Sequence, residues 1–538
     1  MEWSLSAVLD IVSDTVPERE MLVWKDVRRT FGDVAGRTRG LASYLVAHGI
    51  GVQRERSALE RWECGQSPVA LILHNCPEYI ESMIGCFRAR AVPFNVNQHY
   101  TPAEIRSVLE MVGAEAVIYH RSLGSLVEGA MTDAIRLAIE VDDQAEGSGV
   151  PGHVPYEEAV SRASGELPVP SPDDLYLVCT GGTTGMPKAV LWRQADVYVS
   201  AMGGGDGTTA EAMAKTATVG LGTWFAPPPL MHAAAQWTVF AGLLGGATVV
   251  LHDDRERFDA ATIVETAASE RVTLMSIVGD AYARPIVEAL ERRPVDLSSL
   301  RVLGTGGALT SDECKHALLR LLPTLTIRDG YGASETGGMA YGSSTEGALS
   351  AGFDPSPGAV VLSADKSRIL QPGEDELGWT ARQGRVPLGY LGDEAKTEGT
   401  FPLVDGVRMA VPGDRARIEP DGAIRILGRD SMVVNTGGEK VFVEEVEEVL
   451  RSHPDVADAL VVGRSSERFG QEVVAVVQLR PAATVEPADL REFAAQSLAR
   501  FKAPRSIAFC ETVRRQASGK PDYQWALRAA EDAASAVR

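Results

Sequence analysis

The apolar run Leu175 to Cys179 passes directly into Thr180-Gly181-Gly182-Thr183-Thr184-Gly185-Met186-Pro187-Lys188, and that junction restricts the local fold more than any other feature of the chain. A short apolar run bounded by glycines is a buried strand ending in a loop. Glycines let successive backbone N–H groups turn together toward an anion, threonine hydroxyls add donors or reach a metal, and a lysine adds a point charge. A Walker loop places its lysine directly after the last glycine, whereas here Met186 and Pro187 intervene. Taken alone, the segment fits a plain surface turn as well as a phosphate loop.

Around it the chain has a βα rhythm. Val69 to His74 is followed by Ile80, Met83, Ile84 and Phe87 at helical spacing. Thr101-Pro102-Ala103-Glu104 spells a capping box with proline at the first helical position. Further strands are expected at Ala116 to Tyr119, Thr248 to Leu251, Thr273 to Val278, Arg301 to Gly304 and Leu325 to Ile327. Such alternation predicts parallel sheets covered on both faces. From Asp365 to Asp421 glycine, proline and charge predict a smaller β-rich portion. Beyond Gly428 a compact unit follows: a helix over Val443 to Arg451, strands Ala459 to Gly463 and Glu472 to Leu479, a helix near Pro487 to Arg500, and Ser506 to Cys510. The expectation is an α/β fold with a large domain over 1–428 and a small α+β domain over 429–538, joined at about 429–433.

At 538 residues the chain exceeds one hydrophobic core. A net charge of −21 without a basic block argues against nucleic acid as a partner. Trp237 to Leu251, fifteen residues with three glycines, falls short of the roughly 20 needed to span a bilayer, so it reads as buried helix plus strand and no integral membrane segment is expected. The acidic start, Met1 to Glu20, does not read as a signal peptide, and six cysteines without a CxxC pair predict reduced thiols in a cytoplasmic protein without structural zinc. A homo-oligomer stays open. The charged segment Gln53 to Pro68 is out of pattern and reads as a tolerated surface loop rather than a binding element.

Further motifs follow in order: Tyr331-Gly332-Ala333-Ser334-Glu335-Thr336, Gly428-Arg429-Asp430, Thr436-Gly437-Gly438-Glu439-Lys440 and Ser518-Gly519-Lys520. In order and spacing the chain resembles, over nearly its whole length, the adenylate-forming superfamily of acyl-CoA synthetases, luciferases and peptide-synthetase adenylation domains. The resemblance implies a two-step reaction in which a carboxylate attacks the α-phosphate of ATP to give an acyl-adenylate, and a thiol then displaces AMP. It implies ATP, Mg²⁺ and CoA as cofactor and co-substrates, with a small carboxylic acid as substrate.

Residue by residue, the resemblance assigns Thr180, Gly181, Gly182, Thr183, Thr184, Gly185 and Lys188 to the β- and γ-phosphates. Glu335 would hold Mg²⁺ with help from Thr184, and Tyr331 would wall the adenine, with Gly306, Gly307 and Ala308 on its other face. Asp329, Gly330, Gly332 and Ser334 would complete the nucleotide site. Asp414 and Arg429 match the ribose-binding pair, although Val411-Pro412 before Gly413-Asp414 departs from the usual pattern. Lys520 matches the lysine that a mobile small domain delivers to the α-phosphate and carboxylate. Ser431 stands at the hinge, where Asp or Lys is usual. Thr436, Gly437 and Gly438 would line the CoA tunnel, while Lys440 either meets a CoA phosphate or is simply solvated.

The acyl pocket would be built from Met231 to Trp237, including His232, Gln236 and Trp237, with Gly279 and Gly304. The three alanines Ala233 to Ala235 leave room for a bulky apolar acid, and the local sequences resemble actinobacterial synthetases for long-chain or sterol side-chain acids. Three rival readings stay open: an amino-acid-adenylating module, for which Asp280 is the only nearby partner to an ammonium; a fatty acyl-AMP ligase serving a carrier protein; and a non-catalytic acyl or nucleotide sensor.

Overall fold

The computed structural model describes residues 2–147, 149–162, 165–180, 187–255, 258–308, 310–350, 352–429, 432–436, 439–466, 470–498, 500–516 and 520–536. Among these the strands form five sheets. A five-stranded parallel sheet holds Val92–Asn95, Pro68–Ile72, Ala116–His120, Leu137–Val141 and Val154–Pro155. A nine-stranded sheet has a parallel centre running from Glu20–Trp24 through Thr248–Leu251, Thr223–Ala226, Leu274–Ile277 and Val302–Gly306 to Thr326–Ala333. Beyond this centre the chain turns back antiparallel as Gly337–Ser344. The architecture is therefore mixed α/β, with large sheets flanked by helices.

The apolar run before the glycine loop is explained by burial on both faces. Strand Leu175–Thr180 pairs with Lys188–Arg193, which pairs with Gly389–Tyr390 in a three-stranded antiparallel sheet. Tyr176, Val178, Val190 and Trp192 enter one core cluster, and Leu175, Leu177, Ala189 and Leu191 enter another. With successive side chains going to opposite cores, neither face of this stretch keeps polar residues.

The β-rich portion is a six-stranded sheet that includes Gly378–Gln383, Asp414–Ile418 and Ile424–Arg429. The next strand, Val433–Thr436, belongs to a different sheet with Glu439–Phe442, Gly470–Leu479, Val456–Ser466 and Ser506–Cys510. The chain thus crosses between sheets after Arg429. The C-terminal sheet has its own core around Val446, Leu450, Val461 and Ala475. Arg480, just past strand Gly470–Leu479, reaches back across the molecule to Glu313 on helix Asp312–Leu321, with an N–O distance of 2.7 Å.

The segment 53–68 departs from a simple surface loop. Its first half is largely exposed, but Gly65 and Gln66 are buried. The Gln66 amide donates to the Arg90 carbonyl at 2.7 Å and accepts from Leu175 N at 2.6 Å. The Trp62 carbonyl accepts from Gly392 N at 2.8 Å. The segment therefore braces both outer strands of the three-stranded sheet.

Candidate active site

Thr180 and Lys188 face each other across the strand pair, so the two ends of the glycine loop are pinned side by side. Gly181, Gly182, Thr183, Thr184 and Gly185 lie outside the described residues, as do Ser431, Gly437 and Gly438. Of Arg429 and Lys440 only the backbone is described.

Glu335 sits in the turn between Thr326–Ala333 and Gly337–Ser344, at a hairpin tip. Trp192 Nε1 donates to the Ser334 carbonyl at 2.9 Å, and Ala333 N donates to Thr336 Oγ1 at 3.0 Å, which fixes the turn. The Tyr390 hydroxyl donates to Glu335 Oε1 at 2.7 Å. Lys188 Nζ lies 5.5 Å from the centre of the Tyr390 ring, so the lysine and the carboxylate converge on one aromatic side chain.

The Tyr331 hydroxyl donates to Asp414 Oδ2 at 2.6 Å and lies 3.1 Å from Thr380 Oγ1. Asp414 stands opposite Arg429 in the register of their strands. Gly306 pairs with Gly330, and a Cβ on Gly306 would lie 2.8 Å from the Gly330 carbonyl oxygen. Gly307 adopts a positive φ of 75° just before Ala308. Asp329 is engaged by the Lys315 ammonium at 3.0 Å, and burial raises its carboxyl above the usual range against that pull.

In the expected acyl pocket, His232 precedes helix Ala233–Leu244, and its Nε2 has no hydrogen-bond partner among the described residues. Burial, with the Lys520 ammonium adding to it, pushes the imidazole down to about 4. Lys520, from the far end of the chain, therefore sits within electrostatic reach of this pocket. Trp237 is half-buried. Gln236 is 2 % exposed, accepts from the Tyr176 hydroxyl at 2.6 Å and donates to the Leu230 carbonyl at 2.7 Å, so its amide is already engaged in the core. Gly279 has a φ of 52° and donates to Thr305 Oγ1 at 3.3 Å, while Gly304 lies on the adjoining strand. Asp280 accepts from Ser311 N at 2.8 Å and faces Arg284 at 3.5 Å, so it is already engaged. Thr436 is buried and pairs with Glu439.

Keeping His232 neutral costs stability in acid. In the unfolded chain the imidazole ionises near 6.5, so the unfolded state binds a proton that the folded state refuses, and the contribution to stability falls as pH drops from about 6.5 to about 4. An NMR titration should place His232 near 4 in the unaltered chain and higher in Lys520→Ala; an unmoved value would remove Lys520 from this pocket.

Sequence reasoning missed Tyr390 and Thr380. Their partners lie 55 and 49 residues away in the chain, so no local pattern ties them to the site.

The profile of the AMP-binding enzyme family matches residues 10–378, and that of the AMP-binding enzyme C-terminal domain matches residues 445–520. The chain is 44 % identical over 536 residues to the medium-chain acyl-CoA ligase Mig of Mycobacterium avium, covering 97 % of this chain and 98 % of that protein. It is 36 % identical over 549 residues to a 3-oxocholest-4-en-26-oate–CoA ligase of Rhodococcus rhodochrous, covering 98 % and 96 %. In fold it is similar to the anthranilate CoA ligase AuaEII in complex with anthranoyl-AMP, with a TM-score of 0.82 at 21 % identity over 99 % of this chain and 98 % of that one.

Proposed function

The chain belongs to the AMP-binding enzyme family, and from that premise we propose that it is an ATP-dependent carboxylic acid:CoA ligase for a bulky apolar acid, of the medium- to long-chain or sterol side-chain class. The observation that carries this reading is the 44 % identity over 536 residues to the medium-chain acyl-CoA ligase Mig, together with the convergence of Lys188 and Glu335 on Tyr390 beside the expected nucleotide site.

In the first step the acid's carboxylate attacks the α-phosphate and pyrophosphate leaves. Lys188 and its loop offset the charge that collects on the leaving group, and Lys520 does the same at the α-phosphate. Tyr331 walls the adenine, with Gly306 to Ala308 opposite, and Asp414 and Arg429 take the ribose hydroxyls, a task suited to acceptor oxygens and a fixed cation. Neutral His232 lies beside the carboxylate without adding charge. Glu335, a carboxylate held at a hairpin tip, suits a Mg²⁺ that arrives on the triphosphate, with Thr184 as a further oxygen donor. When bound, Mg²⁺ neutralises phosphate charge. For the second step the unit beyond residue 428 turns about Ser431 and presents Thr436, Gly437, Gly438 and Lys440 to the thiol of CoA.

No helix among the described residues is long and apolar enough to cross a membrane; we place the protein in the cytoplasm. The test is pyrophosphate release with and without CoA over acetate, octanoate, palmitate, an aromatic acid and a cholesterol-derived side-chain acid. CoA-dependent turnover peaking on a large apolar acid is expected. Release that ignores CoA would shift the acceptor to a carrier protein, and silence throughout would leave a sensor.

A further inference from the structure

We propose that Tyr390 is a positioning residue that holds Glu335 and Lys188 in the arrangement the first half-reaction needs; the proposal rests on the nucleotide reading above. Strand Gly389–Tyr390 pairs with Lys188–Arg193, placing Tyr390 opposite Val190, two residues from Lys188. Its hydroxyl bonds Glu335 Oε1 at 2.7 Å, and its ring lies 5.5 Å from Lys188 Nζ and 5.4 Å from Lys396 Nζ. A single side chain, 4 % exposed, therefore links a carboxylate on the nine-stranded sheet to a cation on the three-stranded one.

Both contacts suit positioning. A hydroxyl donating to a carboxylate is a charge-assisted hydrogen bond that selects one rotamer of a long side chain. An aromatic face attracts an ammonium without neutralising it, so the ring fixes where the lysine's charge lies. The backbone of Tyr390 is itself anchored: Tyr390 N donates to Thr397 Oγ1 at 2.9 Å, Leu391 N to the Ala189 carbonyl at 2.9 Å, and Gly392 N to the Trp62 carbonyl at 2.8 Å. The last anchor gives the out-of-pattern segment 53–68 a purpose behind the site.

The experiment compares Tyr390→Phe and Tyr390→Leu with the unaltered chain in acid-dependent ATP–pyrophosphate exchange, in thioester formation from supplied acyl-adenylate, and in the thermal shift produced by ATP with and without Mg²⁺ in the absence of acid. Tyr390→Phe is expected to slow exchange about tenfold, the scale of a hydrogen bond to a charged group, while sparing the second half-reaction and the ligand-free Tm. It should also shrink the Mg²⁺-dependent part of the ATP shift. Tyr390→Leu, which loses the ring as well, should slow exchange further. Exchange and Mg²⁺-dependent shift unchanged in Tyr390→Phe would overturn the proposal, and so would equal loss in both half-reactions with a lowered ligand-free Tm. An unaltered chain that activates no acid would sink the ligase reading instead, while the thermal-shift arm still judges Tyr390.

Discussion

Lys520→Ala is expected to lower acyl-adenylate formation by about 10²–10³, the usual cost of removing one group that stabilises transition-state charge, and to leave thioester formation from supplied acyl-adenylate intact. The asymmetry follows from placement. Lys520 is exposed near the C-terminus, where its carbonyl accepts from Gln516 N at 2.8 Å, yet its charge is felt at His232. In the proposed cycle Lys520 serves the pocket in the arrangement described here, and the second half-reaction uses another. Paired measurement of pyrophosphate exchange and of thioester formation checks this; equal loss in both would remove the role.

Gly332→Ala is expected to reduce pyrophosphate exchange by about a hundredfold, the cost of an ångström-scale misplacement of reacting groups. A Cβ at this position would collide with the Gly337 carbonyl oxygen and lie 3.3 Å from the Gly338 Cα, all of it backbone. The hairpin must open to admit it, and Glu335 lies in the turn between these strands. Exchange kinetics alongside a thermal melt provide the check: a variant with unaltered exchange would show that the turn tolerates the shift.

Much of the fold was legible because local pattern and burial agree. The helix Val443–Arg451 and the strand Ser506–Cys510 fall where the sequence predicts them. The strand expected at Leu325 to Ile327 instead runs through Thr326–Ala333, since Arg328, Asp329 and the glycines break the apolar pattern while hydrogen bonds from both neighbouring strands hold the backbone extended. The burial of Gln236 was not legible because helix Ala233–Leu244 is apolar nearly all round, so sequence alone does not say which face meets the core. Tyr390 was invisible for another reason: its partner Glu335 is 55 residues away, and the contact exists only once two sheets meet.

The Arg480–Glu313 contact ties the C-terminal sheet to the large unit through two side chains that are 31 % and 53 % exposed. Exposed pairs of this kind contribute about 0–1 kcal/mol and weaken with salt. A contact of that strength biases the arrangement it joins by no more than about fivefold, so in the proposed cycle it would act as a catch that thermal motion releases rather than as a lock. If the C-terminal unit turns between the two proposed steps, such a fastening would serve it better than a tight one, whose release would become the slowest event of each turnover.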